Sequence, residues 1–515
     1  MFIDALSVPA GTVIETEVCI IGSGAAGITL AREFINSDVR VVLLEGGNTE
    51  FQETSQKLYG GTNIGRRYFA PGDVGLRLRY FGGTTNHWGG WCALPDPVDF
   101  EAREGVPYSG WPFSRAYMEP WYQRAQEVLQ LGPYGYAPSD WGIGQSDIPE
   151  PFRGPHFVCQ VLQVSPPTRF GPDYGPELRK AERLAVYLNA NALRFDVSEN
   201  NGSVRGLAVG VLPDRRFSVR ARIYVLATGG IENARLLLLS SKEGSRGLGN
   251  EHDLVGRFFM VHLEYPGGVI VNADPSMDFK FNTGEEGASH DRFGVSRKFV
   301  SYICLSDQTR RKLNLPNLRI LFERPPRGGT DQRGDVVWDI QSAMRSIDGD
   351  QMSARKAQFE QLPSVWSISV HCSSEQMPNP DSRIGLGSET DAFGLRTVTI
   401  NWQLTAQDKR GAAAGHRLFG AEIGRAGFGR FWSSLPYSDL SWPRRMFGNQ
   451  HNIGTTRMHR EPRSGVVDEN CRVHGVANLY VAGSSVFPTE GTANPTLTIV
   501  ALALRLADHI KDQLK

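Results

Sequence analysis

Near its N-terminus the chain places a glycine-rich turn between short apolar runs. Residues 18–21 form an apolar, partly β-branched run that is typical of a buried strand. A second apolar run, over residues 39–45, predicts another strand that ends in Glu45. The stretch between them predicts a helix over residues 28–36. The pattern therefore predicts a strand–turn–helix–strand unit in which the turn carries the glycines.

That turn matches the pattern GxGxxG. Gly22 permits the tight turn, Gly24 lets the backbone approach a pyrophosphate, and Gly27 allows close packing of helix on strand. Glu45 is placed to accept hydrogen bonds from a ribose 2′-hydroxyl. The combination predicts a dinucleotide site, and by itself leaves NAD and FAD open.

Two later segments have the same character. A strand predicted within 221–241 runs into Gly229, and one within 477–511 ends at Gly483 before a long apolar helix. A nucleotide domain built from three distant segments fits a large cofactor, which favours FAD. We predict Asn494 as the N-cap of the last helix, with Pro495 in its first position. The positive end of that helix either faces the flavin or is an ordinary cap.

Length and charge narrow the possible partners. A chain of 515 residues indicates at least two domains. The formal net charge of +0 favours neither nucleic acid nor an anionic membrane as a partner. No apolar run is long enough to span a bilayer and no secretory signal is visible, so we expect a soluble cytoplasmic protein.

The other chemistry-bearing residues exclude two enzyme classes. The six cysteines are widely spaced without a CxxC, so we expect free, mostly buried thiols and no metal site. A GxSxG elbow for a serine hydrolase is absent. His451, followed by a Gly-Thr turn, is a candidate general base.

Taken in order, these motifs resemble those of the glucose–methanol–choline (GMC) oxidoreductases, an FAD-dependent family, from about residue 14 to 511. The matching segments are "IIGSGAAG" with Glu45, "FGGTTNHWGG", "VLATGGIENARLLLLS", "VGRFFMVH", "PNPDSRIGL", "HNIGTTRMH" and the block that begins "GVVDENCRVHG". Two of its motifs, "GGTTNHW" and "GTANPTLT", are similar to the pyranose oxidase branch and its bacterial C-glycoside 3-oxidase relatives.

The resemblance implies an α/β fold with an α+β second domain. A Rossmann-like FAD-binding domain would be assembled from residues 1–95, 181–265 and 445–515. A substrate-binding domain with a large mixed β-sheet would comprise residues 96–180 and 266–444. The flavin ring would lie where the two meet.

The resemblance also implies roles for individual residues. His451 would take the hydroxyl proton while Asn494 holds the same hydroxyl. The expected cofactor contacts are Gly22, Gly24, Gly27, Glu45, Thr84, Thr85, Asn86, His87, Gly229, Gly483, Pro495 and Thr496. In fungal pyranose oxidases the histidine of the GGTTNHW motif is bonded to the flavin. Because Gly89 and Gly90 depart from those enzymes, we expect His87 to pack against the ring without a covalent bond.

The implied reaction is FAD-dependent oxidation of a secondary hydroxyl of a sugar or glycoside. We expect C3 of a C- or O-glycoside, with O2 or a quinone-type compound as the acceptor. The alternatives are a pyranose 2-oxidase acting on free glucose, an oxidase of a non-sugar alcohol and a flavoprotein isomerase. Aromatic candidates for stacking on a sugar are residues 431–442 and Trp338, with core packing as the other interpretation. Residues 331–361 form either a lid or a solvated insertion.

Overall fold

The strands that the structure describes form three sheets. The computed structural model describes residues 1–198, 202–240, 246–272, 287–290, 296–323 and 367–515. Numbered along these residues, the strands are β1 Phe2–Asp4, β2 Val13–Ile21, β3 Val41–Leu44, β4 Gly61–Asn63, β5 Trp91–Cys92, β6 Phe157–Val164, β7 Leu184–Leu188, β8 Asn191–Val197, β9 Val204–Val211, β10 Arg215–Leu226, β11 Leu263–Asn272, β12 Gly287–His290, β13 Ser296–Leu305, β14 Leu318–Glu323, β15 Ser367–Ser374, β16 Arg383–Thr390, β17 Arg396–Asn401, β18 Gly429–Ser433, β19 Phe447–Gly448 and β20 Leu479–Val481.

The helices Ala25–Arg32 and Gly229–Leu239 begin at the glycine turns, and the remaining described helices lie in other parts of the chain. Those in the described ranges are α1 Ala25–Arg32, α2 Glu53–Gln56, α3 Arg115–Val128, α4 Phe170–Lys180, α5 Gly229–Leu239, α6 Asp307–Leu313, α7 Ala406–Arg425 and α8 Thr496–Leu514.

An eight-stranded sheet carries the nucleotide motifs. Its order is β1-β7-β3-β2-β10-β9-β8, and β20 pairs with β10. The central pairings β2–β3, β2–β10 and β10–β20 are parallel, so the ends of β2, β3, β10 and β20 meet at one edge of the sheet. The predicted α/β fold, assembled from distant segments, is confirmed.

The local boundaries differ from the sequence prediction. Strand β2 begins five residues earlier than expected, at Val13, and α1 begins at Ala25, directly after Gly24. Residues 33–36 form turns, so α1 ends before the predicted end of the helix. The first turn of α1 therefore includes Gly27, which has no side chain to keep the helix away from the strand.

A nine-stranded sheet lies beside the first. Its order is β18-β11-β15-β14-β13-β6-β5, with β12 on β13 and β19 on β11. A mixed sheet was expected, but the pairings found among the described strands of this sheet are antiparallel. A small third sheet has the order β16-β17-β4. The pairing of β19 with β11 brings residues 447–449 beside residues 262–264.

The predicted domain boundaries stay a prediction, and two contacts cross them. Trp91–Cys92 pairs with β6 of the nine-stranded sheet, although the prediction places it with the FAD-binding part. Helix α3, predicted for the substrate-binding part, packs on α8, where Trp121 Nε1 donates to Asp508 Oδ2 at 2.8 Å. The segment around residues 91–128 thus joins both sheets.

Two findings bear on the expectations from composition. All six cysteines are free and buried, as predicted. Among the described residues, no helix has the length and apolar character needed to cross a membrane.

Candidate active site

One continuous cavity of about 760 Å³ connects the glycine turn after β2 with His451. Its volume is in the range of cofactor and substrate sites in proteins. It is lined by these residues predicted from the sequence: Gly22, Gly24, Glu45, Thr84, Thr85, His87, Gly229, Gly483, His451, Asn494, Pro495 and Thr496. Gly27 and Asn86 are the predicted residues outside this lining.

The glycines divide into two kinds by what surrounds them. Gly22 has a φ of 99°, and a Cβ there would lie 2.6 Å from the carbonyl oxygen of Ala227. A Cβ on Gly27 would overlap the carbonyl oxygen of Gly22, so this glycine packs α1 on the turn. At Gly24, Gly229 and Gly483, an added Cβ would meet no atom within 4 Å. The last three therefore leave open space where backbone from three different segments lines the cavity.

Glu45 is held at the end of β3 by hydrogen bonds. Its Oε2 accepts from Ser23 Oγ at 2.5 Å and from the Ser23 amide at 3.3 Å. Its Oε1 accepts from the Gly47 amide at 2.8 Å. The carboxylate is thus oriented at the cavity wall with lone pairs left to accept ribose hydroxyls.

The turn Gly83–Asn86 carries the GGTTNHW residues along the cavity. Thr85 Oγ1 donates to the Gly82 carbonyl at 2.6 Å. Asn86 turns its amide away from the cavity and donates to the Phe81 carbonyl at 3.0 Å, so it stabilises the turn. His87 lines the cavity, and partial burial together with Arg169 lowers its pKa.

His451 is the most constrained of the predicted catalytic residues. Its Nδ1 lies 2.7 Å from His262 Nδ1 and 2.9 Å from Asn449 Nδ2. Its backbone amide donates to Asn449 Oδ1 at 3.0 Å. With Nδ1 engaged, Nε2 is the ring nitrogen left for the cavity that His451 lines. Burial lowers the pKa of His451 well below its usual value, and His262 lowers it further, so the ring is neutral near pH 7.

His262 and Glu264 were not singled out from the sequence. Glu264 accepts from Ser373 Oγ at 2.9 Å and from Asn449 Nδ2 at 3.2 Å, and it pairs with His371 at 2.9 Å. Burial raises the pKa of Glu264, but the His371 hydrogen bond and nearby positive charge outweigh it and bring the pKa to about 2. Burial lowers the pKa of His262 to about 4.

One feature of the sequence could have indicated His262 and Glu264. A histidine and a glutamate stand two residues apart where the VGRFFMVH motif meets an apolar strand, and side chains at that spacing share a face of a strand.

Asn494 does not cap the last helix as predicted. Helix α8 begins at Thr496, Pro495 takes the N-cap position, and the Asn494 Oδ1 accepts from Arg319 Nη1 at 3.0 Å. The prediction was wrong because a buried arginine from β14 competes for the oxygen that a cap would use. This bond leaves the Asn494 Nδ2 donor for the cavity.

Two of the aromatic candidates at residues 431–442 pack against the core. Phe431 packs edge-on against Phe419 with ring centroids 4.9 Å apart, and Trp442 packs against Tyr265 at 5.4 Å. Trp91 and Gln450, which were not predicted, line the cavity instead. Trp338 and residues 331–361 lie outside the described residues.

In the described part of the chain, no group of three or more histidine, cysteine, aspartate and glutamate side chains is arranged to hold a metal ion.

Comparisons with known proteins indicate the family and the fold of the chain. A family model described as GMC oxidoreductase matches residues 378–503. A C-glycoside 3-oxidase of Microbacterium trichothecenolyticum is 32% identical over 87% of this chain and 79% of its own length. The fructose dehydrogenase large subunit of Gluconobacter japonicus is 23% identical over 98% of this chain and 99% of its own. The crystal structure of a pyridoxine 4-oxidase from Mesorbium loti has a TM-score of 0.56 at 17% identity, covering 96% of this chain and 99% of that one, and shows a common fold.

Proposed function

Because the chain belongs to the GMC oxidoreductases, a family of FAD-dependent enzymes, we propose that its cavity oxidises a secondary hydroxyl of a sugar or glycoside. The supporting observation is that His451 and Asn494 line the same cavity as the nucleotide glycines. A base and a hydroxyl-binding amide thus share one space with the cofactor cradle.

The residues present fit FAD. The open positions at Gly24, Gly229 and Gly483 let backbone approach a pyrophosphate without a side chain in between. Glu45 would accept from the ribose, and Thr84, His87 and Thr496 would lie along the ring system at the other end. When bound, FAD supplies the acceptor for the hydride that leaves the carbinol carbon.

The protein side chains would handle the hydroxyl group. Neutral His451 accepts the hydroxyl proton at Nε2, while Asn494 donates from Nδ2 to the hydroxyl oxygen. Arg319 keeps the Asn494 oxygen occupied, so the amide presents its donor and not its acceptor to the substrate. The two side chains thereby set which hydroxyl of a sugar reacts.

The preferred position is C3 of a glycoside, with O2 or a quinone-type acceptor. This choice is supported by the 32% identity to a protein named C-glycoside 3-oxidase over most of the chain. NMR of the products formed from glucose and from one C-glycoside tests it. A 3-keto product from the glycoside supports the proposal, whereas a 2-keto product from free glucose identifies a pyranose 2-oxidase.

Anaerobic stopped-flow reduction tests the assignment of the base. We expect His451→Ala to retain FAD and to be reduced by substrate roughly 100- to 10,000-fold more slowly, the usual contribution of a general base. Fast reduction of that variant would exclude His451 as the base. If no sugar or alcohol bleaches the flavin of the wild-type protein, an isomerase or a structural flavin would replace the proposed oxidation.

A further inference from the structure

His262 and His451 approach each other through the same type of ring nitrogen. The two Nδ1 atoms are 2.7 Å apart, and the rings are nearly perpendicular at 87°. A backbone hydrogen bond holds the two segments together here, because the backbone N–H of Asn449 donates to the backbone carbonyl of His262 at 3.0 Å. His262 is fully buried, and Asn449 contacts both the backbone amide and the ring Nδ1 of His451, which restricts both rings.

A hydrogen bond between two Nδ1 atoms couples the tautomers of the rings. One nitrogen must carry the proton and the other must offer its lone pair. If both rings are neutral, a proton on His451 Nδ1 therefore requires His262 to carry its own proton on Nε2. Only with its proton on Nδ1 does His451 have a lone pair on Nε2 with which to accept a proton from a substrate.

Asn449 acts against that tautomer. Its orientation is set at both ends of the amide, because Oδ1 accepts from the His451 backbone and Nδ2 donates to Glu264. The same Nδ2 lies 2.9 Å from His451 Nδ1 and favours a lone pair there. On its own, this contact would leave the His451 proton on Nε2, in a form that donates and does not accept.

We propose that His262 is a positioning residue that accepts the Nδ1 proton of His451 and so holds His451 in the tautomer that works as a base. The inference rests on the proposed role of His451. When the substrate O–H bond breaks, the new N–H bond forms at His451 Nε2, and the Nδ1 proton stays in the bond to His262.

The surrounding charges are consistent with this role. Burial lowers the pKa of His262, and the positive charge of Arg319 lowers it further, so the His262 ring remains neutral and can accept a hydrogen bond. Glu264, which accepts from Asn449 Nδ2, favours positive charge on both rings. A positive charge that forms on His451 during the reaction therefore faces a neutral acceptor at Nδ1 and a carboxylate beyond it.

The tautomer is measurable without any substrate. In ¹⁵N-histidine-labelled holoenzyme, the His451 signals are assigned by difference from His451→Gln. We expect the His451 Nε2 to be unprotonated in the wild type and in His262→Asn, whose Oδ1 takes the position of the lost Nδ1. We expect it to be protonated in His262→Leu, where Asn449 remains as the neighbour. A protonated Nε2 in the wild type, or an unprotonated one in His262→Leu, overturns the proposal.

Flavin reduction provides the functional readout. We expect His262→Leu to be reduced roughly 100- to 10,000-fold more slowly, because a base in the wrong tautomer cannot accept the proton, and His262→Asn to recover most of the loss. Adding Asn449→Leu to His262→Leu removes the competing donor and should recover part of the rate. Equal losses in the Asn and Leu variants would indicate a packing role and contradict the proposal. Failure of wild-type reduction would instead count against the proposed function, and the NMR result would still decide the role of His262.

Discussion

Arg319 places one buried positive charge beside the polar side chains of the site. It is 4% exposed, donates to Asn494 and lies 5.8 Å from the ring centroid of Tyr302. Its charge also lowers the pKa of His451, behind the larger effects of burial and of His262. The same side chain thus orients the Asn494 amide and helps to keep His451 neutral.

Arg319→Met should separate these two effects. Without the charge, the pKa of His451 rises, so the acid limb of the reduction rate moves to higher pH, since only the neutral ring accepts a proton. The plateau at high pH should fall about tenfold, because the Asn494 amide loses a hydrogen bond to a charged donor worth roughly 1.5–3 kcal/mol. Stopped-flow reduction across a pH series measures both. Arg311→Met, at an exposed pair with Glu101, is the matched control. An unchanged acid limb would show that Arg319 has no electrostatic effect on the base.

His87 lines the cavity, and the open question is whether it forms a covalent bond to the flavin. Its ring lines the cavity, and the GGTTNHW turn is held by Thr85 and Asn86. We expect the flavin to be bound without a covalent link, so acid precipitation of the holoenzyme should release yellow FAD into the supernatant. Colour that stays with the pellet in the wild type and is lost in His87→Ala would show a bond at this residue.

The first strand–turn–helix element contains glycines at Gly24 and Gly27 for two different reasons. Gly27 lies inside α1 against the Gly22 carbonyl, whereas Gly24 precedes α1 and faces open cavity. Gly24 has a φ of −78°, which any residue adopts. One glycine is therefore needed by the fold and the other by the cofactor.

Substituting alanine at each position should separate these requirements. Gly27→Ala should lower the melting temperature of the protein and its folded yield, because the methyl group overlaps backbone. Gly24→Ala should fold and show native far-UV circular dichroism but bind FAD more weakly, since its methyl group enters the cradle. Isothermal titration of refolded apoprotein with FAD measures the second effect. Wild-type FAD affinity in Gly24→Ala would contradict the placement of the pyrophosphate.

Local elements could be predicted because their signals are local. The turn glycines, Glu45 and the order of β2, α1 and β3 follow from neighbouring residues and a repeating pattern. His262 and Arg319 could not be predicted, because their bonds depend on strand pairing. His262 meets His451 across 189 residues, and Arg319 meets Asn494 across 175. A single sequence contains no record of that register. For each aromatic residue at 431–442, core packing is the favoured interpretation over stacking on a sugar, and Phe431 and Trp442 do pack against the core.

At the scale of the whole molecule, a buried cluster of charged side chains joins segments that are far apart in the sequence. Arg310 is fully buried and contacts Asp96 at 3.1 Å, Asp99 and Glu375 at 3.5 Å. Arg103 pairs with Glu375 at 2.6 Å. Asp99 also lies against Gly491 in the segment that leads to Asn494 and α8. The cluster therefore ties the segment that leads to Asn494 to the nine-stranded sheet.

Glu375→Gln should destabilise the protein by about 3–5 kcal/mol at pH 7, the usual cost of breaking a buried ion pair. Burial raises the pKa of Glu375, but Arg103 and Arg310 outweigh it and lower the pKa from 4.5 to about 2. The pKa of Glu375 is lower in the folded protein than in the unfolded chain. Its ionised carboxylate therefore contributes its full stabilisation of the fold above pH 4.5, and this contribution is lost as the pH falls towards 2.

Urea denaturation at pH 7 and pH 3 tests this, and the difference between variant and wild type should shrink at the lower pH. Glu101→Gln, at the exposed pair with Arg311, is the control and should change the free energy of unfolding by about 0–1 kcal/mol. Equal effects of the two substitutions would contradict a structural role for the cluster.

The discontinuous nucleotide sheet also sets the order of events during biosynthesis. β2 and its glycines are made early, but β10 receives its partner β20 only after residue 481 has been added. His451, Gly483 and Asn494 come from the same late part of the chain. A ribosome-bound nascent chain that has not reached them lacks the part of the cavity lining that these residues form, and it leaves part of β10 exposed as an open edge. FAD can therefore occupy the complete cavity only after this late segment has been synthesised.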